Sequence, residues 1–209
     1  MAEVCAIPGQ ALRVSPSAVP LPTATLVMPA DPAELVVAGG CFWCTEAVFA
    51  ALTGVLRVDS GYVGGSAETA DYHSVCSGDT GHAEAVRIQF NPQQIGLGEL
   101  LRIFLAVAHD PTQKDRQGHD RGRQYRSAVF YHDEAERHYV DGYFRQLDQA
   151  AIFVAPLATT LEPLTVFYPA EAYHQRYAAR NPEQPYVQAV ATPKVAKLQQ
   201  YFADAIKSN

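Results

Sequence analysis

Apolar and polar positions along this chain change period often enough to mark out separate elements. Leu35-Val36-Val37-Ala38 is a short apolar run closed by Gly39-Gly40, and it reads as a buried strand. Cys41 to Leu52 contains no Gly or Pro and many good helix formers, which predicts a short helix starting near Cys41 or Phe42. Residues 55–63 read as a strand before Gly64-Gly65, and residues 66–82 as a long polar connection. From Glu84 the alternation is clean, with Val86, Ile88 and Phe90 on one face and Ala85, Arg87 and Gln89 on the other. That is the pattern of a half-buried strand. Leu97, Leu100, Leu101, Phe104 and Leu105 recur at helical spacing, so residues 97–108 are expected to form an amphipathic helix. A mixed-charge loop follows from Asp110 to Gln124, then a strand over 126–131 and a helix over 133–150. A strand over 159–167 and helices over 170–180 and 193–207 complete the chain. The order β-α-β-β-α-β-α-β-α predicts an α+β fold. Its two layers are a mixed sheet and helices packed mainly on one side, on the ferredoxin-like, split βαβ plan.

The first 34 residues stand apart. Six of the 14 prolines lie within residues 1–32, so this segment is expected to run as an irregular, extended arm over a single domain spanning 35–209. The prolines interrupt every apolar stretch near the start, and no basic region precedes one, so no export signal is expected. The 209 residues are 48% hydrophobic and 18% charged, the balance of a soluble globular protein. With 22 acidic and 16 basic residues the net charge is −6, which argues against general affinity for nucleic acid or an anionic membrane. Four cysteines are too few for a secreted disulfide scaffold, and no apolar run approaches a membrane span. A cytoplasmic protein is the expectation, and, with no heptad seam, a monomer.

The chemistry concentrates between Gly39 and Glu46. A strand, a Gly-Gly turn and a cysteine at a helix start place the Cys41 thiol against unpaired backbone N–H groups and the positive end of the helix dipole. Such a setting is expected to lower the thiol pKa from its usual value near 8.5 and to enrich the nucleophilic thiolate. Cys44, one turn later, is within reach of a disulfide to Cys41. Cys41-x-x-Cys44 admits three readings: a redox pair, half of a zinc site that lacks its other ligands, or two buried structural cysteines. Phe42 and Trp43, the chain's single Trp, are either core anchors or the wall of an apolar pocket beside the thiol.

Several ordered motifs resemble the A-type peptide methionine sulfoxide reductases. They are Gly40-Cys41-Phe42-Trp43 with Glu46, Gly61-Tyr62-Val63-Gly64-Gly65, Tyr72, and Val75 through Val86. The likeness continues through His109-Asp110-Pro111, Asp120, Gln124-Tyr125-Arg126-Ser127, Phe167-Tyr168, His174 and Tyr177, covering roughly residues 35–185. It implies reduction of methionine-S-sulfoxide, free or in proteins, by Cys41 acting as the nucleophile. Glu84 is then the acid, Tyr72 and Tyr125 the phenol donors to the sulfoxide oxygen, and Phe42 and Trp43 the wall for its methyl group. To serve as an acid at neutral pH, Glu84 must sit in a buried site that raises its pKa. The resemblance also puts Asp120, His174 and Tyr177 near the substrate, and it implies thioredoxin as the reductant. Neither a metal nor an organic cofactor is called for.

Many members recycle the oxidised cysteine with one near the C-terminus, but this chain has none beyond Cys76, and Asn181 to Asn209 shows no match by eye. Cys44, where glycine is more usual, is the expected resolving thiol, with Cys76 second and Cys5 a distant third; an external thiol is the remaining route. A thioredoxin-like oxidoreductase using Cys41 and Cys44 alone is the alternative enzyme, although it leaves Glu84 without a role.

Overall fold

The computed structural model describes residues 11–28 and 31–207. Its chain order is β1 (Ala33–Gly39), α1 (Phe42–Ala50), β2 (Val55–Val63), α2 (Tyr72–Cys76), β3 (Ala83–Phe90) and α3 (Leu97–Ile103). There follow the short hairpin β4 (Arg116–Gln117) and β5 (Asp120–Arg121), then β6 (Ser127–Tyr131), α4 (Glu134–Gln149), β7 (Thr160–Pro163), β8 (Phe167–Pro169), α5 (Tyr177–Arg180) and α6 (Thr192–Tyr201). A π-helical turn, Phe104–Ala108, extends α3, and another, Val187–Ala191, leads into α6.

Six strands form one mixed sheet in the order β7-β6-β1-β3-β2-β8, antiparallel at every pairing except the parallel β6–β7. Strand alternation sorts the side chains between two faces. Leu35 and Val37 of β1, Val86, Ile88 and Phe90 of β3 and Val129 of β6 enter the main core, where Phe42, Val48 and Phe49 of α1, Leu100 and Leu101 of α3 and Val140 and Leu147 of α4 meet them. Burying each such side chain contributes about 1.5–3 kcal/mol. Val36, Ala38, Val63, Ala83, Ala85, Ala128 and Phe130 form a thinner second layer on the other face, capped by Leu164 and Phe167.

The expected strand over 159–167 is two strands on opposite edges of the sheet. Thr160–Pro163 lies beside β6, whereas Phe167–Pro169 lies beside β2. Five strand spacings in a flat sheet would span about 24 Å, while the four peptide units from Pro163 to Phe167 reach only about 15 Å. The sheet is therefore curled, and the short crossing closes over its second face. The expected helix over 170–180 is helical only at Tyr177–Arg180, because residues 171–176 form turns that end with Arg176 at φ 54°. The polar connection over 66–82 contains α2, whose N-cap Asp71 accepts from the Ser74 amide at 3.0 Å.

The described part of the N-terminal arm is packed down rather than free. Ala11 and Val19 are buried, Leu12 bridges Phe153, and the Tyr143 hydroxyl donates to the Pro20 carbonyl at 2.8 Å. Cys5 lies outside the described residues. Among the described residues no helix is long and apolar enough to cross a membrane.

At Gly61 of β2 the paired β8 lies close against the backbone. A Cβ there would press into the Phe167 ring and sit 2.5 Å from the Tyr168 carbonyl oxygen. Gly61→Ala is expected to destabilise the protein by about 1–3 kcal/mol, seen as a lower urea midpoint with an unchanged m-value.

Candidate functional site

The same alternation that sends Val86, Ile88 and Phe90 into the core turns Glu84 toward α1. There its Oε2 accepts the Phe42 amide at 3.0 Å. Glu84 is 2% exposed, and burial pushes its carboxyl up to about 8. Cys41 is the N-cap of α1, reached through Gly40, which holds φ 84°. A Cβ on Gly40 would lie 2.6 Å from Gln117, so only glycine lets the β4–β5 hairpin close over this turn. That hairpin brings in Asp120.

Cys41, Phe42, Trp43, Tyr72, Glu84, Asp120, Tyr125, Gln184 and Tyr186 surround a cavity of about 240 Å³. Of the ten residues singled out in the sequence, seven line it. Tyr72 is the first residue of α2, and its amide donates to Glu171 Oε1 at 2.9 Å. The other oxygen of Glu171 accepts from the Tyr62 hydroxyl at 2.9 Å, so one carboxylate ties α2 to β2. Tyr125 stands on the turn before β6. There Arg126 grips Glu162 with two bonds of 2.9 Å and also donates to the Gly81 and Arg123 carbonyls. Burial raises the pKa of both phenols, Tyr72 and Tyr125, which remain protonated donors.

His174 and Tyr177 do not line the cavity; they stand behind Trp43. The indole N–H donates to His174 Nδ1 at 3.0 Å, and the Tyr177 ring stacks on the indole at 3.8 Å and 11°. Glu46 fixes this backing, since its carboxylate accepts from the Arg176 amide at 2.7 Å and from the Tyr177 amide. The sequence places His174 and Tyr177 near the substrate; in the structure they pack on Trp43, with the His174 ring also 5.1 Å from Phe42 and 4.4 Å from Tyr72.

The family model described as peptide methionine sulfoxide reductase matches residues 33–206. The chain belongs to that family. It is 50% identical over 174 residues to the peptide methionine sulfoxide reductase MsrA of Deinococcus radiodurans, covering 83% of this chain and 84% of the relative. Over 180 residues it is 49% identical to an MsrA of Thermus thermophilus, covering 86% and 99%. Among solved structures, reduced Mxr1 from Saccharomyces cerevisiae has a TM-score of 0.67 at 32% identity, covering 76% of this chain and 91% of that one. Methionine sulfoxide reductase A of Corynebacterium diphtheriae has a TM-score of 0.61 at 30% identity, covering 84% and 89%. The protein is accordingly an enzyme that reduces methionine sulfoxide.

The family match runs to residue 206, through the segment left unmatched by eye beyond Asn181. That segment supplies two cavity residues missed in the sequence, Gln184 and Tyr186. The only available signal was an aromatic in a turn-rich stretch, Asn181-Pro182 to Pro185-Tyr186.

The cysteines of the reductase depart from expectation in their protonation. Burial pushes the Cys41 thiol well up rather than down, with the contact to Cys44 and the Glu84 charge adding to it. At the helix start the Phe42 N–H goes to Glu84 rather than to the thiol, so it does not offset that burial. Cys44, fully buried, is lowered instead, first by the hydrogen bond from Cys41 and further by the Lys194 ammonium. Cys76 is exposed, with its sulfur toward the Tyr72 hydroxyl.

A carboxyl near 8 in the fold and near 4.3 in the unfolded chain binds more protons when folded between those values. Its contribution to stability is greatest at low pH and falls as pH rises through that window, by about 1.4 kcal/mol per pH unit at most. Urea unfolding at pH 5 to 8 is expected to show Glu84→Gln gaining stability relative to the wild type as pH rises.

Proposed function

We propose that this chain reduces methionine-S-sulfoxide, free and in proteins, through attack of the Cys41 sulfur on the sulfoxide sulfur. The observation that carries the reading is that Cys41 and a buried, high-pKa Glu84 share one small cavity with two phenols. Glu84 gives a proton to the sulfoxide oxygen while Tyr72 and Tyr125 donate hydrogen bonds to it as negative charge moves there. Phe42 and Trp43 form an apolar wall for the methyl group, and Asp120 faces the substrate from the hairpin. Oxygen passes to Cys41, the substrate leaves as the thioether, and Cys41 remains as a sulfenic acid. An apolar wall on one side and oxygen donors on the other select one configuration at sulfur, which the family resemblance gives as S.

Cys44 then attacks the sulfenic sulfur of Cys41, releasing water and forming a disulfide. Its place within bonding reach of Cys41 and its lowered pKa support this role. A protein dithiol of the thioredoxin type fits as the reductant. The catalytic unit in this reading is one domain over 35–209, monomeric and working in the reducing cytoplasm, with the arm 1–34 laid against it. The order β6-β1-β3-β2, antiparallel throughout, supports the split βαβ reading of its centre.

Incubation with each sulfoxide epimer and dithiothreitol tests the reading. Loss of the S form alone is expected, abolished in Cys41→Ser; consumption of neither epimer refutes it. In single turnover, the rate of methionine formation should fall as pH rises through about 8, where Glu84 loses its proton. Glu84→Gln should lose that limb and about 10²–10⁴-fold in rate. Cys44→Ser should turn over with dithiothreitol yet stall with thioredoxin.

A further inference from the structure

Tyr186 has no part in the reductive step as drawn, yet it stands at the junction of every group needed afterwards. Its hydroxyl donates to Asp120 Oδ2 at 2.5 Å, and its side chain shares the cavity with Cys41 and packs in one cluster with Cys41 and Cys44. The ring meets Trp43 edge-on at 6.0 Å and packs beside Cys44, Val187 and Ala191. We propose that Tyr186 is a catalytic proton relay for disulfide closure, passing the thiol proton of Cys44 to the oxygen that departs from Cys41. This rests on the reading that Cys41 becomes a sulfenic acid and Cys44 resolves it.

The step balances within the protein. The Cys44 sulfur bonds to the Cys41 sulfur, the S–O bond of the sulfenic acid breaks, and the electron pair of that bond leaves with oxygen. Both sulfurs end at the disulfide level, so the Cys44 sulfur is oxidised by one unit and the sulfenyl sulfur of Cys41 is reduced by one. The departing hydroxide takes the phenol proton and becomes water, while the phenol oxygen recovers a proton from the Cys44 thiol. Hydroxide is a poor leaving group in a buried site, so a donor beside the cysteine pair acts where it is most needed. Asp120 is a positioning residue here: its carboxylate holds the phenol O–H at rest, and the O–H turns from Asp120 to the departing oxygen as charge develops there.

The test follows the fate of Cys41 in one turnover. Fully reduced, full-length protein is mixed with one equivalent of methionine sulfoxide and dimedone without reductant. Mass spectrometry then gives the ratio of dimedone-labelled Cys41 to the Cys41–Cys44 disulfide, per methionine formed. The wild type should give mainly disulfide. Tyr186→Phe should raise the ratio of adduct to disulfide by about 10- to 100-fold, on the scale of a lost general acid. Asp120→Asn should move it the same way by less. A merely structural loss would depress methionine and both products together, leaving the ratio at the wild-type value, and that result overturns the relay. Cys44→Ser tests the underlying reading separately: labelled Cys41 alone supports it, whereas a disulfide to Cys76 removes both the resolving role of Cys44 and the relay.

Discussion

The amide of Phe42 and the carboxyl of Glu84 meet at 3.0 Å inside the protein, and the arrangement of the cavity follows from that contact. It joins the first turn of α1 to the start of β3, two elements far apart in sequence. It also decides which groups are charged. The helix start spends an N–H on the carboxyl, which nevertheless stays protonated near neutrality because burial outweighs a single donor. The neighbouring Cys41 receives the burial without that donor, and its thiol holds its proton. Glu84 and Cys41 are thus both shifted toward their uncharged forms, a state suited to admitting an uncharged, dipolar sulfoxide between them.

Around this contact, three carboxylates each fix one movable wall. Glu171 ties Tyr72 and α2 to Tyr62, Glu162 anchors Arg126 next to Tyr125, and Glu46 holds Arg176 and Tyr177 behind Trp43. Each joins segments that the sheet alone would leave to loops. Pre-organisation of this kind matters because donors that must reorient during the reaction lose much of their effect.

Much of this was legible in the sequence where one physical rule dominates. The strict alternation from Glu84 to Phe90 gave β3 and the direction in which its side chains point; the spacing of Leu97 to Leu105 gave α3. The ordered motifs brought seven of the ten expected residues to one cavity. What stayed hidden depends on distant partners. Residues 159–167 look like one strand because nothing local tells which neighbour each half will pair with. His174 and Tyr177 fall near the pocket in sequence motifs, but only packing shows that they support Trp43 rather than line the cavity. Tyr186 could not be found from spacing, since the fold carries it back to Cys41 after 145 residues. The raised pKa of Cys41 was likewise beyond a helix-dipole argument, which cannot know how deeply the fold buries the thiol.

Cys44 has no surface of its own. Any protein that recharges the enzyme must therefore approach the sulfur pair from the Cys41 side, through the mouth by which an oxidised side chain enters. One doorway serves two visitors. In the proposed cycle the two encounters exclude each other in time, which gives it the form of a double displacement in which each partner departs before the next arrives.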